Sequence, residues 1–166
     1  MTDYKAIKTF FLPYKRDTVK LSFALNRAIA KKAVVIQSFL YNELGTIYRD
    51  FADYKKSKEY HTKALLLAKH SKNIYLEIAA YNMLGVVYRR IDSIKPAIDN
   101  HQNALNLVNS IKDKDEEILR SQAVSLNSIG NIFLTLNQFE MAKENFVTSL
   151  GIEKKLNNNL GLAINY

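Results

Sequence analysis

With 166 residues, 48% of them hydrophobic and 11% aromatic, the chain can bury a continuous core and is not a disordered segment. It has no cysteine, which excludes disulfides, thiolate chemistry and cysteine-ligated zinc, and it lacks the run of about 18 apolar residues that a membrane span needs. The net charge of +8 is uneven: residues 1–83 carry 15 Lys or Arg against 7 Asp or Glu, residues 84–166 carry 9 against 9.

The opening MTDYKAIKTF lacks the cationic-then-apolar order of a signal peptide, and neither this nor the missing cysteine assigns a compartment. A first helix is expected from Asp3 to near Pro13, because proline cannot continue the helical ladder. Asp17 is expected to cap a second helix, in which Leu21, Leu25, Ala28 and Ile29 keep the helical period. Residues 1–32 therefore read as a degenerate helix pair. From Ala33 to about Asp50 runs the first clear inner helix, and Asp53 caps a partner that continues to about His70. The next pair spans about Asn73 to Ile91 and Ile94 to Ser110, with Pro96 tolerated in a first turn. After a charged connector, Asp113 with Glu116, and later Asn137 with Glu140, fit capping boxes that launch two more helices. Leu160 to Tyr166 reads as the opening of a further helix, which makes the chain look like a piece of a longer array whose open end should self-associate.

Three stretches restate one pattern: YNELGTIY at 41–48, YNMLGVVY at 81–88 and LNSIGNIF at 126–133. Their glycines, Gly45, Gly85 and Gly130, are 40 and 45 residues apart. A second signal follows each at a fixed distance: Ser57, His61 and Ala64, then Ala97, His101 and Ala104, then Ala142, Phe146 and Ser149. Such recurrence describes a helix pair that cannot bury its apolar face alone and stacks on copies of itself. The implied units are 33–72, 73–112 and 113–157, with a truncated start over 158–166.

The pattern resembles the tetratricopeptide repeat: an aromatic (Tyr41, Tyr81), then Leu-Gly (Leu44-Gly45, Leu84-Gly85), then tyrosine (Tyr48, Tyr88), with alanine and an aromatic beyond. Tyrosine replaces the usual tryptophan, the proline after the second helix is missing, and the third copy is looser, with Leu126, Ile129 and Phe133. The spacing also exceeds the family's common period of about 34 residues, as in its longer-helix branch. The resemblance implies an all-α fold, an α-solenoid of antiparallel helix pairs wound as a right-handed superhelix. It also implies a non-catalytic protein-binding scaffold, similar to arrays found ahead of bacterial sensor histidine kinases or helix-turn-helix regulators.

Tyr41, Leu44, Gly45 and Tyr48 fall at i, i+3, i+4 and i+7, one core stripe. Glycine inside a helix costs roughly 1 kcal/mol relative to alanine, so its recurrence calls for close approach of two helices. His61 and His101 share a slot with Phe146, which makes them packing residues rather than metal ligands. No phosphate-cradling loop, metal-ligand pair or serine elbow is present, so neither an active site nor a cofactor is expected.

Asn42, Asn82 and Asn127 each follow the first stripe residue, turned by about 100° around the helix towards the expected groove. An amide both donates and accepts, so such a ladder can hold the backbone of an extended peptide. In longer-period relatives, asparagines at this place do so; the alternative is bonding to a neighbouring helix. The same face continues through Thr46 and Arg49, Arg89 with Arg90 beside it, and Asn131. Arginine forks suit carboxylates, which points to an acidic or C-terminal-carboxylate ligand, unless these are ordinary surface cations at helix ends. Lys55, Lys56, Lys58, Lys63, Lys69 and Lys72 read as a solvated outer face, and no nucleic acid is expected, since arginines and stacking aromatics are not grouped together. The rival to peptide binding is assembly, with the groove filled by the chain itself or by a second copy.

Overall fold

The computed structural model describes residues 3–156. Among them are eight α-helices and one short 3₁₀ turn, with no strand. They run α1 (Tyr4–Phe11), the turn Leu12–Tyr14, α2 (Thr18–Ala30), α3 (Val34–Asp50), α4 (Tyr54–His70), α5 (Ile74–Arg90), α6 (Ile94–Ser110), α7 (Glu116–Thr135) and α8 (Phe139–Lys155). From α2 onward each helix packs most closely on its chain neighbours, and α3 also touches α5 as α5 touches α7. That second set of contacts makes α3, α5 and α7 the inner row of an α-solenoid, with α4, α6 and α8 outside it. The expectation for Leu160 to Tyr166, and with it the open end, lies outside the described residues.

The helix starts follow local chemistry. Side chains of Asp3, Asp17, Asp53 and Asn73 accept from the backbone N–H groups of Ala6, Lys20, Lys56 and Leu76. The two expected capping boxes are corrected. Asp115, not Asp113, caps α7 by accepting from Ile118 N–H at 3.0 Å, and α8 starts at Gln138 without a side-chain cap. Asn137 instead takes the left-handed conformation (φ 58°) that ends α7, as Lys32, Ala52, Lys72 and Asp92 do between other helices.

The recurrent glycines have a direct cause. A Cβ on Gly45 would lie 2.8 Å from the His61 ring, one on Gly85 2.5 Å from His101, and one on Gly130 2.7 Å from Phe146. In each pair a ring from the outer helix lies on the inner helix backbone, leaving no room for a methyl group. Short hydroxyls tie the same helices together: Ser57 donates to Gly45 O, Ser38 to Ala64 O and Ser149 to Ala123 O.

The opening helices take a different form from the expected pair. The outer-type helix α2 packs on α3, and the break at Pro13 redirects the chain so that α1 crosses the inner row. Tyr4 lies edge-on to Phe39 of α3 and stacks on Tyr75 of α5 with centroids 5.4 Å apart. From there α1 reaches α7 through Lys5–Asp115 (2.8 Å) and Lys8–Glu117 (2.7 Å). Ile7 and Phe11 join Leu21, Leu25, Phe39, Leu40 and Leu44 in one core.

Candidate functional site

The inner row bounds a cleft of about 330 Å³, with Asn42, Glu43, Thr46 and Arg49 of α3, Ala79, Asn82 and Met83 of α5, and Arg120, Ser121 and Val124 of α7 on its walls. Tyr4 and Lys8 of α1 close one side. The parallel course of α3, α5 and α7 gives this face two rims. At the rim of the helix starts sit Tyr75, Asp115 and Glu117; at the rim of the helix ends sit Arg49, Arg89 and Arg90.

Of the expected site residues, the cleft brings together Asn42, Thr46, Arg49 and Asn82, while Arg89, Arg90, Asn127 and Asn131 lie outside it. Two of the asparagines require a correction. Asn42 and Asn82 are 9% and 2% exposed, and their Oδ1 atoms lie 2.7 Å from His61 Nδ1 and 2.9 Å from His101 Nδ1. An amide oxygen only accepts, so each imidazole carries its proton on Nδ1 and its Nε2 is left buried without a partner. Asn82 is fully engaged: its Oδ1 also accepts from Ser125 Oγ at 2.6 Å, and its Nδ2 donates to Ser121 O at 3.1 Å. The physical reason is the ring on the glycine. It offers a buried N–H that must be satisfied, and the asparagine 19 residues earlier is within reach.

In the third pair Phe146 offers no such group, and Asn127 Oδ1 accepts instead from Asn131 Nδ2 at 3.0 Å. Thr46 donates back to Asn42 O. Beside Asn42 and Asn82 on the cleft wall, Glu43 and Met83 sit one position further round the helix. Their signal in the sequence is weak, because glutamate, methionine and serine occupy equivalent places in the three copies.

Electrostatics separate Arg49 and Arg89, the two arginines that hold equivalent places on the far rim. Arg49 Nη2 is 2.7 Å from Asp50, and its Nη1 reaches Met83 on α5. Arg89 holds the same place one pair later, but its neighbour is Arg90 rather than an acid, and its Nε is buried without a hydrogen-bond partner. Burial first, and then the Arg90 charge, push the Arg89 guanidinium below its ordinary pKa. Burial, followed by Arg49 and Arg89 respectively, pulls His61 down to about 3 and His101 down to about 4, so both are neutral near pH 7. Burial raises the Glu43 carboxyl, against the pull of Lys15 and Lys8.

The outer lysines are less free than a solvated face implies. Lys56 Nζ lies 4.0 Å from the Tyr48 ring centre, Lys63 lies over Tyr41 and Tyr60, Lys58 over Tyr88 and Lys69 over Tyr81. Basic and aromatic groups therefore do share a surface, but each ring is covered by a lysine. Among the described residues no cluster of three or more His, Asp or Glu could hold a metal, and no helix is long and apolar enough to cross a membrane.

Models of the tetratricopeptide repeat match residues 37–110 and 123–156, together about two thirds of the chain. The chain belongs to the tetratricopeptide repeat family. Arrays of these repeats are generally non-catalytic scaffolds for protein interaction. The crystal structure of BtubC (BKLC) from P. vanneervenii is similar, with a TM-score of 0.69 and 17% identity over 83% of this chain, which spans 56% of that one. At that identity the likeness shows the fold. None of the curated proteins matches the chain.

Proposed function

We propose that this array binds an acidic segment of a partner protein along its inner face, with the rim at Arg49, Arg89 and Arg90 taking a carboxylate. The units are the helix pairs at 33–72, 73–112 and 113–157. One observation carries the reading: Arg89, half buried, has an unbonded Nε and Arg90 beside it, where the equivalent Arg49 is neutralised by Asp50. A half-buried guanidinium with no acceptor among the described residues is suited to an external carboxylate. In the same reading Asn127 and Asn131, half buried on α7 and bonded to each other, extend the ligand face beyond the arginine rim. In the finer reading the array is the sensing or regulatory region of a larger bacterial signalling protein, such as a sensor histidine kinase or a helix-turn-helix regulator. The resemblance of its segments to such arrays supports this, and the domains encoded beside it test it.

The experiment for the site is an acidic peptide library presented to the parent and to Arg89→Glu, with melting temperatures recorded for both. Charge-assisted bonds imply a loss of about ten-fold or more in affinity for Arg89→Glu at unchanged stability. Equal binding by both proteins would remove the arginine rim from the site. Assembly is the second reading, favoured by α1 lying on the inner face. Absence of any peptide binding by the parent, together with a concentration-dependent dimer, would select it.

A further inference from the structure

The seat occupied by α1 is built like a recognition site. Four residues at i, i+3, i+4 and i+7 of one short helix make the contacts, and each meets a different chemistry. Tyr4 enters between Phe39 and Tyr75, with its hydroxyl 3.4 Å from Glu117. Ile7 is wholly buried, Lys8 Nζ bonds both oxygens of Glu117 at 2.7 and 2.8 Å, and Phe11 stacks on Phe39 at 5.8 Å. Lys5 adds Asp115, whose carboxyl is drawn down to about 2; burial opposes this, but the bonds from Lys5, Ile118 N–H and the Tyr75 hydroxyl outweigh it. The acids of the seat thus lie 109 or more residues along the chain from the lysines they bind.

The fit is not that of a packed repeat. Beside α1 the cleft of about 330 Å³ continues on one flank, and a second space of about 440 Å³ opens between Lys5, Lys8, Thr9 and Leu12 and the start of α7. At eight residues α1 is the shortest of the described α-helices; it is flanked by open space and followed by a proline turn, so little beyond these contacts keeps it helical and in place. Its lysines are half exposed, so their ion pairs set register and selectivity, while Tyr4, Ile7 and Phe11 supply the adhesion.

We propose that α1 is a resident stand-in ligand, and that its seat recognises a basic amphipathic helix of a partner protein, with an aromatic, an aliphatic, a lysine and a second aromatic at i, i+3, i+4 and i+7. Binding in trans requires α1 to leave, so the apparent affinity of the intact chain is reduced by the fraction of molecules in which the seat is empty. This seat uses the opposite rim and the opposite charge from Arg89 and Arg90, so it stands independently of the acidic-ligand reading.

The test uses the full chain and a fluorescent peptide of residues 3–16 as probe. Lys5→Glu/Lys8→Glu removes the ion pairs of the resident helix without touching the seat, and Ile7→Asp removes its main anchor. Either release should raise peptide affinity at least roughly ten-fold over the parent, with hydrogen exchange showing α1 detached and circular dichroism showing the array still helical. Adding Glu117→Lys to the released chain should abolish the gain, and a peptide carrying Glu at both lysine positions should not bind. No gain in affinity in either released variant overturns the proposal. So does a released variant that dimerises and is not dissociated by the peptide, since the seat would then serve a second copy. If the peptide binds here while Arg89→Glu leaves acidic-peptide binding untouched, this seat stands and the arginine rim does not; the reverse result separates them the other way.

Discussion

Asn82 Oδ1 and His101 Nδ1 lie 2.9 Å apart inside the second helix pair, and Asn42 with His61 repeats the arrangement at 2.7 Å in the first. The bond joins an inner to an outer helix where the ring also rests on a glycine. Asn82→Ala should therefore destabilise the fold, by about 1 to 3 kcal/mol, since it strands the buried imidazole N–H, while the Ser125 hydroxyl keeps Ser121 O as its acceptor. Urea unfolding of parent and variant checks this. A variant as stable as the parent would return the asparagine to the solvent-facing role that its place in the repeat suggests.

The same ring on the same backbone sets Gly85 apart from Gly151, which lies outside the repeated pattern. Gly85→Ala places a methyl 2.5 Å from His101 and should cost about 1 to 3 kcal/mol through overpacking. Gly151, in the C-terminal part of α8, has no atom of the described residues within 4 Å of a new methyl, so Gly151→Ala should be neutral or gain up to about 1 kcal/mol of helix propensity. Paired melting curves of the two variants give the comparison.

Both imidazoles are neutral in the folded chain and have an ordinary pKa near 6.5 when unfolded, so the sign of the pH effect is fixed. Above about pH 6.5 neither state takes up a proton at these sites. Below it only the unfolded chain does, and stability falls until His101 titrates near 4 and His61 near 3 in the fold. The slope is roughly 1.4 kcal/mol per pH decade for each histidine. Asp115 adds a further loss between about pH 4 and 2, because its bonds hold it ionised in the fold. His61→Phe with His101→Phe, compared with the parent from pH 7 to 4, should flatten the first limb, and an unchanged limb would show that the histidines do not set it.

Ala52 and Asp92 close the turns after α3 and α5 with φ of 61° and 55°. A side chain there costs about 1 kcal/mol relative to glycine. Ala52→Gly should raise the melting temperature despite the added freedom of the unfolded chain, and a lowered value would mean that the turn is not strained.

Helix order and the core stripe were legible because leucine, glycine and tyrosine recur at one helical spacing, and because each glycine is matched by a ring and a small residue at a fixed distance. The substitution of Phe146 for histidine even identified the ring slot as packing. The same comparison held an unread signal: asparagine and histidine 19 residues apart in two copies, with the histidine lost in the third. One residue of rotation separates an amide tied to a buried ring from its neighbour, since Asn42, bonded to His61, and Glu43 differ by about 100° around α3. Periodicity could not place α1 either. Its partners Asp115 and Glu117 lie far along the chain, and nothing in a local pattern reports that a helix crosses three others.

The most direct measurement of the central claim, that the inner face holds a partner at its arginine rim, is an NMR titration of the chain with an acidic peptide. The account expects saturable shifts at the amides and side chains of Arg49, Arg89 and Arg90, lost in Arg89→Glu. Shifts confined to the lysines of α4, or none at high micromolar peptide, would contradict it.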